Sequence, residues 1–533
     1  MKVTIQSGAA GFFAAAVVFA LFRPVDQNGG VQAAGKESAA DEAISNAEAI
    51  GINLDFVVDW NPSWIFKDVF RTSRTWLSQQ PYTMETWNGD WAIETSTYGW
   101  PLLQPGQAAA TLMMREIEGH YPAGTYTCLY QGTGSVEFAM DAKVIESEPG
   151  RILIDVTPSD SGIFFKINES DLDDPIRNVR VIMPGFEETY LSQPFHPTFL
   201  ERLEPFGILR YMNWQRINET WISNWWERNL PRSATMATDQ GIAYEYILML
   251  SRETNTDPWV CIPHLATDEF VISMAKRFQR GVSEDRTIYV EFSNEVWNSI
   301  FPQAHYAEAQ GLAEGLSSEP FQARLHWYSK RATHLLNLFK DTVEAGSNHP
   351  TVVRVMGAQY GNPWTSEVVL GFENAHEKID ALAIAPYFGI DLGAPSNLWD
   401  TIGMTKEQVI AACRDEILGE QKELVNTHAD IAEEFGVKMI AYEGGQHLVG
   451  YSGAENVTDL NDLLIEVNRD PAMYGLYMDM LNVWRGRTDT PFVSYSHCRE
   501  PTLWGSWGAL EYQDQPLWEA HKFRALADFN VQN

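Results

Sequence analysis

The sequence predicts an α/β protein: a (β/α)8 barrel of the TIM type with a small antiparallel β-sandwich inserted into it. Two observations carry this expectation. Eight apolar, strand-like runs alternate with amphipathic helical patterns, which implies parallel strands covered by helices. Eight such units close a barrel. Between the first unit and the second, a stretch of about 90 residues changes texture, with short β-type runs separated by Gly, Pro, Asp and Ser, as in a sandwich. An open doubly wound sheet is the rival, but no Gly-rich phosphate loop follows any run.

The elements follow in order. NLDFVVDW (53–60) is the first run, with a helix expected over SWIFKDVFRTSRTWLS. GILRYMNW (207–214) precedes the helix DQGIAYEYILMLSRE. DPWVCIPHLA (257–266) precedes TDEFVISMAKRFQRG. IYVEFSNEVWN (288–298) is fourth, before the long helix FQARLHWYSKRATHLLNLFKDTVE. TVVRVMGAQYGNP (351–363) and DALAIAPYFG (380–389) are fifth and sixth, and a helical stretch spans 406–435. VKMIAYEGGQHL (437–448) is seventh, before a helix over 471–484. PFVSYSHC (491–498) is eighth, and PLWEAHKFRALADF closes the chain. In the insertion, ATLMMREI, GTYTCLYQG, SVEFAMDAKVI, RILIDVTP, GIFFKINES and NVRVIMP are the β-type runs. The expected organisation is a signal peptide over 1–33, a linker over 34–50, the barrel over 51–90 and 181–533, and the sandwich over 91–180, where it could shape a cleft or hold substrate.

Composition narrows the function. The 533 residues carry a formal net charge of −33, which repels phosphate backbones and argues against a nucleic-acid partner. The chain holds 19 Trp, and the flat apolar face of Trp suits half-exposed platforms such as sugar rings stack on. Cys128, Cys261, Cys413 and Cys498 are far apart and read as buried free thiols without metal-ligand spacing. Lys2 precedes the apolar run AAGFFAAAVVFALF (9–22), and small residues precede a possible cut before Ala34. That is an export signal too short to span a bilayer, so no membrane span is expected in the mature chain, which would be secreted or periplasmic unless the signal persists as an anchor.

Chemistry in such barrels sits at the C-terminal ends of the strands. Those ends offer Arg210 on strand two, His264 on strand three, Asn294 and Glu295 on strand four, Tyr387 on strand six and Glu443 on strand seven. LWGSWG, with Trp504 and Trp507, lies beyond strand eight. Asn-Glu also occurs at Asn168-Glu169 and Asn218-Glu219, which read as ordinary surface pairs. Two carboxylates facing one cleft are the minimal equipment for cleaving a glycosidic bond, one protonated and one ionised. Gly444-Gly445 lets the backbone bend after Glu443 and leaves room there for substrate. Glu291 points inward below Glu295 and reads as a buried partner for a basic residue.

This constellation resembles glycoside hydrolase clan A, the retaining (β/α)8 hydrolases. The resemblance implies that Glu295 is the acid/base and Glu443 the nucleophile. It implies that Arg210, His264, Asn294, Tyr387 and Trp504 assist at the substrate, with Trp507 competing for the platform role of Trp504. No metal or cofactor is implied. GINLDFVVDW and EFSNEVWN also resemble a group of exported bacterial proteins, some labelled cellulose-binding. The implied activity is hydrolysis of β-glycosidic bonds in a poly- or oligosaccharide. A non-catalytic carbohydrate-binding barrel and a transglycosylase using the same residues are the alternatives.

Overall fold

The computed structural model describes residues 38–46, 50–83 and 91–532. The expected export signal lies outside them. Strand β1 (Ile50–Asn53) opens the barrel. Eight further strands then leave it: β2 (Leu77–Gln79), β3 (Ala108–Met113), β4 (Gly124–Gln131), β5 (Gly134–Met140), β6 (Ala142–Glu148), β7 (Arg151–Val156), β8 (Ile163–Ser170) and β9 (Arg177–Ile182). The barrel resumes with β10 (Ile208–Arg210), β11 (Asp257–Ile262), β12 (Thr287–Phe292), β13 (Thr351–Gly357) and β14 (Ala381–Ile384). Two-residue β15 (Tyr387–Phe388), then β16 (Lys438–Ala441), two-residue β17 (Gly445–Gln446) and β18 (Phe492–Ser494) complete the set.

Pairing runs β1-β10-β11-β12-β13-β14-β16-β18 and back to β1, parallel throughout, so the barrel is closed. β15 and β17 pair with each other past the ends of β14 and β16. The helices outside follow their sequence signals. Thr267 accepts from the Phe270 amide and caps Asp268–Gly281, which buries Phe270, Val271, Met274, Ala275 and Phe278 on one face. Thr405 and Gln408 form a capping box on Lys406–Glu416.

Three readings of the N-terminal part change. The strand is Ile50–Asn53, so most of the run 53–60 is loop at the barrel mouth. The helix expected over SWIFKDVFRTSRTWLS is replaced by a short 3-10 turn, Val69–Thr72, and by β2. The reason is that its apolar residues serve two cores: Phe66 packs in the barrel's helical layer, Val69 and Phe70 in the sandwich. A helix with one apolar stripe does not face two ways. The stretch read as linker contains the helix Ala39–Asn46, whose Ala40 and Ile44 join the cluster inside the barrel with Ile208, Val353 and Ala381.

The inserted strands form two antiparallel sheets, β2-β3-β8-β5 and β6-β7-β4-β9. Their shared core holds Tyr126, Cys128, Ile152, Ile154, Phe165 and Val181. They run from Leu77 to Ile182, so the first strand precedes the boundary expected at residue 91. SVEFAMDAKVI makes two strands, because Met140 turns with φ +61°. All four cysteines are buried and free. No described helix is long and apolar enough to cross a membrane.

Candidate active site

The ends of β1, β10, β12 and β16 meet around one guanidinium. Arg210, the last residue of β10, is wholly buried. Its five N–H groups are all engaged. Nε and Nη2 donate to Oε2 of Glu291 at 3.2 and 2.8 Å. Nη2 also donates to Oδ1 of Asn294 at 2.9 Å. Nη1 donates to Oδ1 of Asn53 at 3.0 Å and to Oε1 of Glu443 at 2.9 Å. The rings of Trp259 and Tyr442 flank it at 5.7 and 5.1 Å. Burial opposes its charge, but Glu291 and Glu443 outweigh that and hold it protonated. Arg210 therefore has no donor left for a substrate; it organises the groups that do face the cavity.

Glu291 sits in the barrel wall, 1 % exposed, and also accepts from Trp259 Nε1 at 2.9 Å. It is the buried partner that its inward register suggested. Above it the backbone turns sharply: Ser293 and Glu295 have φ of +61° and +42°. Neither is glycine, so this tip carries strain of the kind concentrated at functional sites, about 1–3 kcal/mol per residue. The turn brings Asn294 and Glu295 together at the mouth.

Asn294 accepts from Arg210 and donates through Nδ2 to Oδ1 of Asn218 at 3.1 Å. Gln303 donates to the same Asn218 oxygen at 2.7 Å and to the Asn294 carbonyl at 2.8 Å. The orientation of the Asn294 amide is thereby fixed, and one Nδ2 hydrogen remains for a ligand. Asn218 is buried and lines the cavity, so its Asn-Glu pair is not a surface one; Glu219 beside it reaches Arg216 at 3.9 Å.

The two candidate catalytic carboxyls are held differently. Oε2 of Glu443 accepts from the Tyr387 hydroxyl at 2.9 Å, while Oε1 accepts from Arg210. Oε1 of Glu295 accepts from Tyr442 at 2.9 Å and Oε2 from Asn298 Nδ2 at 2.9 Å, both neutral donors. Burial pushes both carboxyls above the ordinary range. Glu443 reaches about 7, with Arg210 opposing the rise and Glu295 adding to it. Burial also lifts the Tyr387 and Tyr442 phenols far above their usual range, so both remain donors. The charge on either carboxyl disfavours that on the other, so the two titrate as a pair. Direct contact with a cation favours the charge on Glu443.

One cavity contains this pair, with walls of Trp297, Phe301, Tyr360, Tyr387, Tyr495, Trp504 and Trp507. Trp507 is 8 % exposed, packs edge-on against Tyr387, His447 and Tyr495, and donates to the Trp504 carbonyl at 2.7 Å. It is a wall, and half-buried Trp504 is the more accessible platform. His264 is buried edge-on against Tyr306, is driven neutral by burial to about 4, and is not among the lining residues. The space at Gly444 and Gly445 serves packing, not substrate. A Cβ on Gly444 would meet Phe492 at 2.3 Å, and one on Gly445, at φ +140°, the Tyr477 hydroxyl at 2.7 Å. No described residue of the sandwich lines the cavity.

Sequence reading missed Asn53, Tyr442, His447, Tyr495 and the role of Asn218. Tyr442 had a signal, since it adjoins Glu443. His447, driven neutral by burial to about 4, shows its place only once β17 forms.

No family model and no curated protein matches this sequence. Solved structures do resemble it. The α-L-arabinofuranosidase of Thermotoga maritima is 14 % identical, with 61 % of this chain and 62 % of that one covered at a TM-score of 0.36. The β-glucosidase of the same organism gives 13 %, 62 % and 84 %, and 0.34. A GH5-4 broad-specificity endoglucanase from Clostridium acetobutylicum gives 9 %, 64 % and 93 %, and 0.38. The chain thus spans less than two thirds of the arabinofuranosidase. All three are glycoside hydrolases. Likeness at this level concerns the fold alone, and the strand pairing of this chain already establishes its barrel.

Proposed function

We propose that this protein is a glycoside hydrolase that cleaves β-linked poly- or oligosaccharide with retention, and that it works outside the cytoplasm. The observation that carries the reading is the asymmetry of two carboxyls, one buried and one half-buried, in one aromatic-walled cavity. Glu443 bonds a guanidinium, and Glu295 bonds only neutral donors.

In the first step the Glu443 carboxylate attacks the anomeric carbon. The glycosidic bond breaks, and the leaving oxygen takes the proton of Glu295. In the second, water attacks that carbon, its proton passes to Glu295, and Glu443 is released. Asn294 offers its free Nδ2 hydrogen to a sugar hydroxyl beside the reacting carbon, a bond that tightens as charge develops. Arg210 and Tyr387 stabilise the Glu443 carboxylate when it leaves. Trp504 offers a face for a sugar ring.

The test is reducing-end release from a broad panel of plant and algal polysaccharides, at low and high salt, by wild type and Glu443→Gln. Release by wild type is expected, with a loss on the order of 10⁴-fold or more in the variant. Equal release by both would remove Glu443 as nucleophile. Binding without release across the panel would favour the carbohydrate-binding alternative.

A further inference from the structure

We propose that Tyr442 is a positioning residue for the acid/base: its hydroxyl holds one oxygen of Glu295 in place through both proton transfers. The proposal rests on the assignment of Glu295 above. Tyr442 adjoins Glu443 in sequence, yet its hydroxyl reaches across the barrel mouth to Oε1 of Glu295 at 2.9 Å. The ring is 1 % exposed and stacked over Arg210 at 5.1 Å, so the hydroxyl has little freedom to leave. One dipeptide therefore addresses both carboxyls.

A phenol suits this task because it donates to a carboxylate and accepts from a carboxylic acid by rotating one O–H bond. While Glu295 is protonated, Tyr442 fixes the carboxyl as its proton goes to the leaving oxygen. After that transfer Tyr442 donates to the carboxylate, which must then take a proton from water. Asn298 holds the other oxygen and has only donors to offer it. The charged and titratable groups facing the pair are Arg210 from β10, Glu291 from β12, Tyr387 from β15 and Glu443 past β16. None of these hydrogen-bonds the Glu295 carboxyl, so the Tyr442 contact is not duplicated.

Tyr442→Phe keeps the ring and deletes the hydroxyl. Losing a donor that favours the ionised form shifts Glu295 toward its protonated form. The basic limb of kcat/KM should therefore move to higher pH. kcat should fall about tenfold on activated aryl glycosides, where the second step limits, since general-base help is worth about 10²–10⁴ in all. Replacing Tyr442 alone by 3-fluorotyrosine, a stronger donor of nearly the same shape, should move the limb to lower pH. That arm also serves if the Phe variant does not fold. An unmoved limb in the fluorotyrosine protein, or an unmoved limb and kcat in a folded Phe variant, overturns the role of Tyr442. Full activity in Glu295→Gln would instead sink the acid/base assignment beneath it.

Discussion

The tips of β12 and β16 each deliver a glutamate to the same cavity, and they deliver it in opposite ways. At β16 the carboxyl of Glu443 is tied to Arg210 and Tyr387, with the backbone after it pinned by the packing of Gly444 and Gly445. At β12 the carboxyl of Glu295 leaves a strained turn and touches only amide and phenol donors. Desolvation raises both carboxyls, so that effect does not distinguish them. The lesson is that one cation, placed on one side of a pair, gives the two carboxyls unlike surroundings, and on the proposed mechanism that difference divides acid from nucleophile.

That comparison can be broken most sharply at Glu295. Glu295→Gln should lose about 10²–10⁴-fold on substrates with poor leaving groups. Most of the first-step rate should return on activated aryl glycosides, which need no proton. An equal loss on both would make Glu295 structural.

Arg210→Met removes the cation that separates the two carboxyls. It strands Glu291 and Glu443 in the barrel and should cost about 3–5 kcal/mol in urea melts. A loss under about 1 kcal/mol would mean that water or protons already satisfy those carboxyls.

The pH dependence of stability tests where the proton sits. Both carboxyls have folded pKa values raised above 4.5. The folded state therefore binds protons more readily, and stability is lost as pH climbs above 4.5 through the folded values. Glutamine does not titrate. The melting temperature of each Gln variant, relative to wild type, should rise with pH over that window. For Glu443→Gln the rise should run to about pH 7, the value to which burial pushes that carboxyl. A variant without such a rise would mean that burial does not raise the carboxyl it replaces.

The smallest expected effect concerns the aromatic wall. Trp504→Ala should raise KM about 2- to 10-fold with little change in melting temperature. Trp507→Ala, in a packed position, should cost about 3–5 kcal/mol of stability. Similar KM effects with no loss of stability in Trp507→Ala would make both residues platforms.

Much of the barrel was legible, because parallel strands buried on both faces leave apolar runs that alternate with one-faced helices. Asn294, Glu295, Tyr387 and Glu443 were legible as a set once the strands were counted, since strand ends in a barrel share one mouth. The segment 63–78 misled because its apolar residues belong to two cores, a division that local periodicity does not record. Arg210 was found as a residue that assists the candidate pair, but not how fully it is committed. Its type and place on β10 were visible, while the consumption of all five N–H groups depends on Asn53, Glu291, Asn294 and Glu443, which are distant in sequence.

The chain's local chemistry by itself determined which strand tips carry carboxyls and which residue types surround them. Only the tertiary structure decided which carboxyl the arginine touches, that Tyr442 reaches Glu295, and that His264 stays out of the cavity. The physical reason is that side-chain periodicity is written along the chain, whereas hydrogen-bond partners and desolvation are set by neighbours that the closing of the barrel brings together.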